Sequence, residues 1–346
     1  MKRCPFCAED IQDGAIKCRW CGELLTAPPV TSEAGSDKIA WRRRYHMRAI
    51  RVLCLFLIIS FLLSSQWCEM SYGNESLPTG RESLIDKYHK IEKGLEKSTF
   101  GIPFYLESSV SKNASHVDIY STINHPFDFI KNEFLVPTNW CEIVLSHPNI
   151  KACTYEKMDT WLLNIYHVDK FSKPLEDAYQ MKFVYRVSEL HPSYFDIALT
   201  AHKGPYFTKD HQFGCEAIPL NQGTTFMHLR YSCSYSTWGY LLMKIFGGSE
   251  VGFSVIGTDS DGNPVYVGGL RGSAERSVVS YYLAILAYLD TLKIPAEQRF
   301  EKRVSTWYDL AALYKKQLLE MEEEEYLTYK RQDRGSQQQL QSDLNR

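Results

Sequence analysis

Four cysteines at the start of the chain carry the sharpest chemistry in the sequence. Cys4 and Cys7 are two residues apart, ten residues follow, and Cys18 and Cys21 repeat the spacing. Two Cys-x-x-Cys knuckles place two thiolates each on tight turns, which is how a tetrahedral Zn²⁺ site is assembled. Pro5 and Gly22 suit those turns. A segment this short buries little core, so metal binding supplies most of its folding energy. Disulfides or a redox pair are the rival readings, but a redox pair wants a βαβ setting and none is present. The expected cofactor is therefore structural Zn²⁺ held by Cys4, Cys7, Cys18 and Cys21.

Elsewhere the candidates for chemistry are dispersed. Asp118, His125, His167, Asp196, His202, His211, Glu216, His228 and Arg230 fall on separate segments. No Gly-x-Ser-x-Gly, P-loop or His-Glu-x-x-His occurs. The residues alone show no catalytic constellation, and the expectation is that the chain is not an enzyme. His228 and Arg230 alternate with apolar neighbours, which predicts solvent exposure for both. Cys141 and Cys153 are close enough in sequence for a helix to fold back beside its following strand, so a disulfide between them is expected. Cys215 and Cys233 are offset by roughly 15 Å across a hairpin, at ~3.4 Å per residue, and are expected to be buried thiols.

The elements that must position these groups can be read in outline. The chain has 346 residues, 44% of them apolar, with 22 Tyr and 17 Phe and a net charge of −2. That length holds two or three compact units, and the charge gives no general attraction to nucleic acid. Residues 1–25 form the metal module, and 26–48 a linker ending in a basic stretch with Arg42, Arg43, Arg44 and Arg48. Residues 49–67 are apolar enough for a transmembrane helix of about 19 residues if Arg51 reaches the headgroups. No Lys or Arg follows in 66–80, so the N-terminus is expected in the cytoplasm and the remainder outside. A start at Met47, with 52–63 as a signal-peptide core, is the rival reading; a folded module in front of it argues against that.

Beyond Arg81 the pattern is α+β. A charged helix is expected at 81–95. Strands are expected near 116–123, 150–155, 160–168, 180–188, 194–202, 211–218 and 224–235, several with the alternation of a one-faced sheet. Two short helices open at Pro126 and Pro137, another lies near 237–246, and a hairpin turns at 259–263. A long apolar helix runs from about 274 to 292. Residues 293–332 form a final helix, and the Gln/Ser-rich tail 333–346 is expected to be disordered.

Two resemblances follow from these residues. The stretches Cys4-Pro5-Phe6-Cys7 and Cys18-Arg19-Trp20-Cys21-Gly22 resemble the short zinc ribbons at the termini of many bacterial proteins. The order Val117–Ile123, His125-Pro126-Phe127, Asn139-Trp140-Cys141, then antiparallel strands and a long helix, resembles the START-like (SRPBCC, helix-grip) superfamily over roughly 116–292, within a domain expected at 81–292. That resemblance implies a curved antiparallel sheet around a long C-terminal helix, with room for an apolar or lipid-like ligand. Phe183, Tyr185, Met227, Leu229, Tyr231 and Tyr282 are the candidate pocket residues; such stripes are more often core than pocket. The combined expectation is a bacterial inner-membrane protein with a cytoplasmic ribbon for a protein partner and a periplasmic binding domain. Alternatives are an envelope scaffold with a filled core, or a cyclase- or hydrolase-like enzyme.

Overall fold

The computed structural model describes residues 2–3, 10–12, 80–96, 98, 101–236, 240–241 and 251–346. The four N-terminal cysteines, the linker 26–48, the apolar stretch 49–67 and most of the helix expected near 237–246 lie outside these residues. The chain divides into two units, Met1–Asn74 and Glu75–Arg346. In the first, β1 (Lys2–Arg3) pairs antiparallel with β2 (Asp10–Ile11), a short hairpin bracketing the Cys4/Cys7 knuckle in sequence. Among the described residues no helix is long and apolar enough to cross a membrane, and no cluster of metal-binding side chains occurs.

The second unit is α+β. After helix α1 (Arg81–Glu96) come β3 (Phe104–Val110) and β4 (Ala114–Ile123), then the short helices α2 (Phe127–Phe134) and α3 (Pro137–Val144). Six strands follow: β5 (Ile150–Lys157), β6 (Trp161–His167), β7 (Tyr179–His191), β8 (Tyr194–Lys203), β9 (Thr208–Pro219) and β10 (Thr225–Tyr235). They form one antiparallel sheet in the order β3-β4-β10-β9-β8-β7-β6-β5. Register shifts in β5, β7 and β10 mark bulges, the usual means of bending a sheet. A small hairpin, β11 (Val255–Thr258) and β12 (Pro264–Tyr266), precedes the long helix α4 (Gly269–Thr291).

Alternation along each strand decides the layers. Phe183, Tyr185, Met227 and Leu229 point to one side, where they pack with Tyr282, Leu283 and Ile285 of α4 into the main core. The helix is apolar nearly all round because it lies between this sheet and α5 (Ala296–Ala312), whose Trp307 donates to Ser280 O at 3.0 Å. This is the sheet-and-helix arrangement expected of a helix-grip domain.

Three sequence expectations are corrected. The strand at 104–110 is absent from the expected set; it pairs with β4 along its whole length. The helix expected over 293–332 is three pieces: α5, α6 (Lys315–Leu318) and α7 (Glu323–Leu344). The tail expected to be disordered is the second half of α7. Its glutamines are ordered by the strand they cover. β5 is an edge strand, and its Cys153 and Tyr155 amides donate to Gln337 Oε1 and Gln341 Oε1 at 2.8 and 2.9 Å. Gln341 Nε2 donates back to Tyr155 O at 3.1 Å. Glutamines four residues apart thus satisfy backbone groups that an edge leaves open.

Candidate functional site

The main core is apolar for most of its length and becomes polar at one end. That end is set by strand direction: the last residue of β6, the start of β9 and the end of β10 meet there. It holds His147, just after α3, His167 on β6, His211 on β9, and Tyr231 and Cys233 on β10, with Tyr281 of α4 nearby. The His147 and Tyr281 rings are 4.4 Å apart, and Tyr281 meets Phe213 edge-on at 6.0 Å. His147 is held there by α7: Tyr326 donates to Ser146 O at 2.6 Å, and the buried Lys330 Nζ donates to the carbonyls of Leu145, His147 and Ile150.

Hydrogen bonds fix two of the imidazole tautomers. Thr208 donates its hydroxyl to Pro205 O, so its oxygen accepts from His211 Nε2–H at 3.0 Å. His211 Nδ1 is then the acceptor for the Tyr231 hydroxyl at 2.7 Å. His147 Nδ1 accepts from the Asn149 amide at 3.1 Å, which puts the ring proton on Nε2. That Nε2 is buried and makes no well-formed hydrogen bond among the described residues; His167 Nδ1 is in the same position. Buried polar atoms left this way need an explanation, and a bound group is one.

All three rings are neutral at ordinary pH. Burial lowers His167 and His211 to about 4, although Asp169 and Asp210 oppose it. Burial, with neighbouring positive groups including Lys330 and Arg276, holds His147 well below the usual histidine range. The Tyr231 phenol is pushed well up by burial, and the Cys233 thiol up to about 11. The end of the core is therefore a low-dielectric site with uncharged hydrogen-bonding groups.

Of the six pocket candidates, Tyr231 belongs to this cluster. Phe183, Tyr185, Met227, Leu229 and Tyr282 lie in the packed core: Tyr185 donates to Phe134 O at 3.0 Å, and the Tyr282 ring sits 5.5 Å from that of Phe104. The sulfurs of Cys141 and Cys153 are bonded, with Cα atoms 4.9 Å apart, while Cys215 and Cys233 are free and buried.

The opposite face of the sheet carries a second cluster, and here the expectation of exposure fails. His228 is buried, with Nε2 2.8 Å from Asp118 and Nδ1 2.8 Å from Glu216. Tyr194 donates to Glu216 at 2.5 Å. Arg230 bonds Asp196 at 2.6 Å by lying across β9, where Gly214 leaves room; a Cβ there would come within 2.5 Å of the guanidinium. Helix α1 covers the layer with Leu84, Ile91 and Leu95, which pack on Tyr120, Tyr194, Ile218 and Phe226. Tyr120 stacks on the His228 ring at 4.1 Å. The missed signal is the stripe 84, 88, 91, 95 in a charged helix, which asks for an apolar partner surface. Burial alone would lower the His228 pKa, but the carboxylates on either side raise it. This cluster is paired and covered, a structural network. His125 and His202 join neither cluster; His125 pairs with Asp290 at 3.0 Å, and His202 is exposed. An open polar groove of roughly 550 Å³ beside β5, lined by Arg334, Gln337, Gln341 and neighbours, is a third feature.

No family model matches the chain, and no curated protein does. Solved structures do resemble part of it. A conserved protein from Geobacillus kaustophilus is 9% identical, with 51% of this chain and 95% of that one covered and a TM-score of 0.32. Norcoclaurine synthase from Thalictrum flavum, as a point mutant, is 8% identical over 40% and 86%, with a TM-score of 0.30. The Zhui aromatase/cyclase from a Streptomyces species is 12% identical over 58% and 94%, with a TM-score of 0.28. These likenesses assign no ligand or activity to this chain. The expectation of a non-enzyme is nonetheless corrected. Enzymes stand among the similar structures, and residues that looked scattered in sequence converge into two clusters.

Proposed function

We propose that the Glu75–Arg346 unit binds a small apolar or lipid-like molecule with a hydrogen-bonding head, its head at His147, His167 and His211. One observation carries this reading: two buried imidazole nitrogens stand at the polar end of an apolar interior without a well-formed hydrogen bond, His167 Nδ1 and His147 Nε2, the latter with only a weak contact to the Ser277 backbone. Neutral imidazoles can donate to or accept from such a head without an ionic partner. A second reading has a specific observation behind it. His211 and Tyr231, hydrogen-bonded at 2.7 Å at the polar end of the core, are the pair on which cyclase- or hydrolase-like chemistry on the bound molecule would draw.

The setting we propose is the bacterial inner membrane, with residues 49–67 as a single span, a cytoplasmic zinc ribbon for a protein partner and the binding unit in the periplasm. The Cys141–Cys153 disulfide supports an oxidising compartment for that unit, and the β1–β2 hairpin suits a ribbon knuckle. The experiment is solvent extraction of the detergent-purified full chain followed by mass spectrometry, beside an Ala201→Trp variant that crowds His211, its partner across the β8–β9 pair. One apolar molecule retained by the wild type and lost from the variant is expected. Extracts of the wild type that match the detergent and bulk lipid background would refute the reading.

A further inference from the structure

Helix α7 is held to the rest of its unit in two different ways, and the change falls at Gly335. Up to Arg334 the helix is anchored. Tyr326 belongs to the main core, and Lys330 donates to three carbonyls. Asp333 pairs with Lys330 at 2.7 Å and with Lys151 at 3.4 Å, and Arg334 pairs with Glu142. The second half, 336–344, has only two apolar residues, Leu340 and Leu344, and neither belongs to a core cluster. Three hydrogen bonds between Gln337 or Gln341 and the β5 backbone tie it down.

Gly335 stands at the boundary without a packing reason to be glycine. A Cβ there would meet nothing within 4 Å, and its backbone is not left-handed. Glycine inside a helix costs roughly a factor of five in helix stability relative to alanine. The weak point therefore lies between an anchored half and a half that buries no core. Side chains also prop the second half off its strand. The open groove of about 550 Å³ runs between them, lined by Cys153 and Tyr155 on one side and Gln337, Gln341 and Ser342 on the other.

What this half covers is the edge of β5 and, at that edge, the Cys141–Cys153 disulfide. Both cysteines are 1% exposed, and Cys153 is the one that lines the groove. The bond closes the segment 141–153, which contains His147.

We infer that residues 336–344 form a strap hinged at Gly335, which lifts without unfolding the unit and gates the access of thiols to the Cys141–Cys153 bond. Such local opening draws on elements with little apolar burial. Lifting frees the Cys153 and Tyr155 amides and opens the Cys153 sulfur to attack. The thiolate of a dithiol displaces Cys141 as a thiolate, and its second thiol resolves the mixed disulfide. The cysteine pair gains two electrons and two protons, and the dithiol leaves as its own disulfide. The anchored half stays in place, so Lys330 keeps its hold on the His147 turn. An effect of reduction on ligand binding rests on the reading above, because the bond brackets His147; the gate stands on α7 alone.

The test treats the full chain in detergent with dithiothreitol and follows the Cys141 and Cys153 peptides by differential alkylation and mass spectrometry. Reduction far slower than in the urea-unfolded chain is expected. Gly335→Ala should slow it about five-fold, with amide exchange at Cys153 and Tyr155 slowed in parallel. Ile285→Val, a small truncation at a fully buried position of α4, should speed global unfolding and leave both of these rates unchanged. Reduction unaffected by Gly335→Ala, or accelerated by Ile285→Val in step with global unfolding, would overturn the inference. An extract without ligand would sink the ligand reading and leave these rates standing, so the two failures are distinguishable.

Discussion

His211 joins three features: it is buried, it pairs with Tyr231, and it fixes the turn above it. Burial lowers its pKa to about 4, and that of His167 likewise, from an ordinary value near 6.5. A histidine depressed in this way contributes stability that is fully present above pH 6.5 and is lost as pH falls toward 4, because the unfolded chain binds the proton first. His147 adds to the same trend. The Glu75–Arg346 unit should therefore lose melting temperature steeply between pH 6.5 and 4, and His167→Gln/His211→Gln should flatten that slope; equal slopes would contradict it. His228 works in the other direction. Its raised pKa gives stability that is present below 6.5 and lost as pH rises through the folded value. Removing it leaves Asp118 buried without its partner, while Glu216 keeps Tyr194 and Arg230, so His228→Ala should cost about 3 kcal/mol in denaturant unfolding, as for other broken buried pairs. A cost within a few tenths of a kcal/mol would show that the network is solvated.

At the scale of elements, α7 both covers an edge and positions a site residue. Gln337 and Gln341 stand in for a neighbouring strand at β5, while Tyr326 and Lys330 hold the His147 turn. Gln337→Ala/Gln341→Ala should cost about 1 kcal/mol per hydrogen bond and speed amide exchange at Cys153 and Tyr155. It should also promote self-association through the bared edge, visible by light scattering. Unchanged exchange at both amides would show that the glutamines do not protect the edge. The strands from 116 onward are legible because each alternates, and α4 is legible as one long apolar run. The Cys141–Cys153 pairing can be argued from spacing. The strand 104–110 is not legible, since Glu107, Ser108 and Ser109 interrupt its apolar pattern. A Gln/Ser composition hides α7, because its order comes from backbone groups 184 and 186 residues away. The two clusters are hidden for a related reason: sheet register, not sequence spacing, sets Glu216 opposite His228 and Ala201 opposite His211.

For the whole molecule, the chain reads as two units with different sources of stability. The Glu75–Arg346 unit has its own apolar cores and a disulfide, whereas the N-terminal ribbon we propose depends on metal. Chelation of the full chain should release one equivalent of zinc and leave the melting of the larger unit unchanged; purified protein without zinc would end the ribbon reading. Reporters fused after residue 40 and after residue 90 should be active on opposite sides of the inner membrane, and activity of both on the same side would refute a single span at 49–67.

In the function we propose, the head of a bound apolar molecule meets the neutral imidazoles at the end of the core. The most direct measurement is the ¹⁵N spectrum of histidine-labelled full chain in detergent, stripped of its extractable ligand and then reloaded with it. The nitrogen shifts of His147 and His167 should move on reloading, in the sense of a new hydrogen bond, while those of His228 on the opposite face stay fixed. A ligand that rebinds and leaves the His147 and His167 nitrogens unchanged would contradict the account.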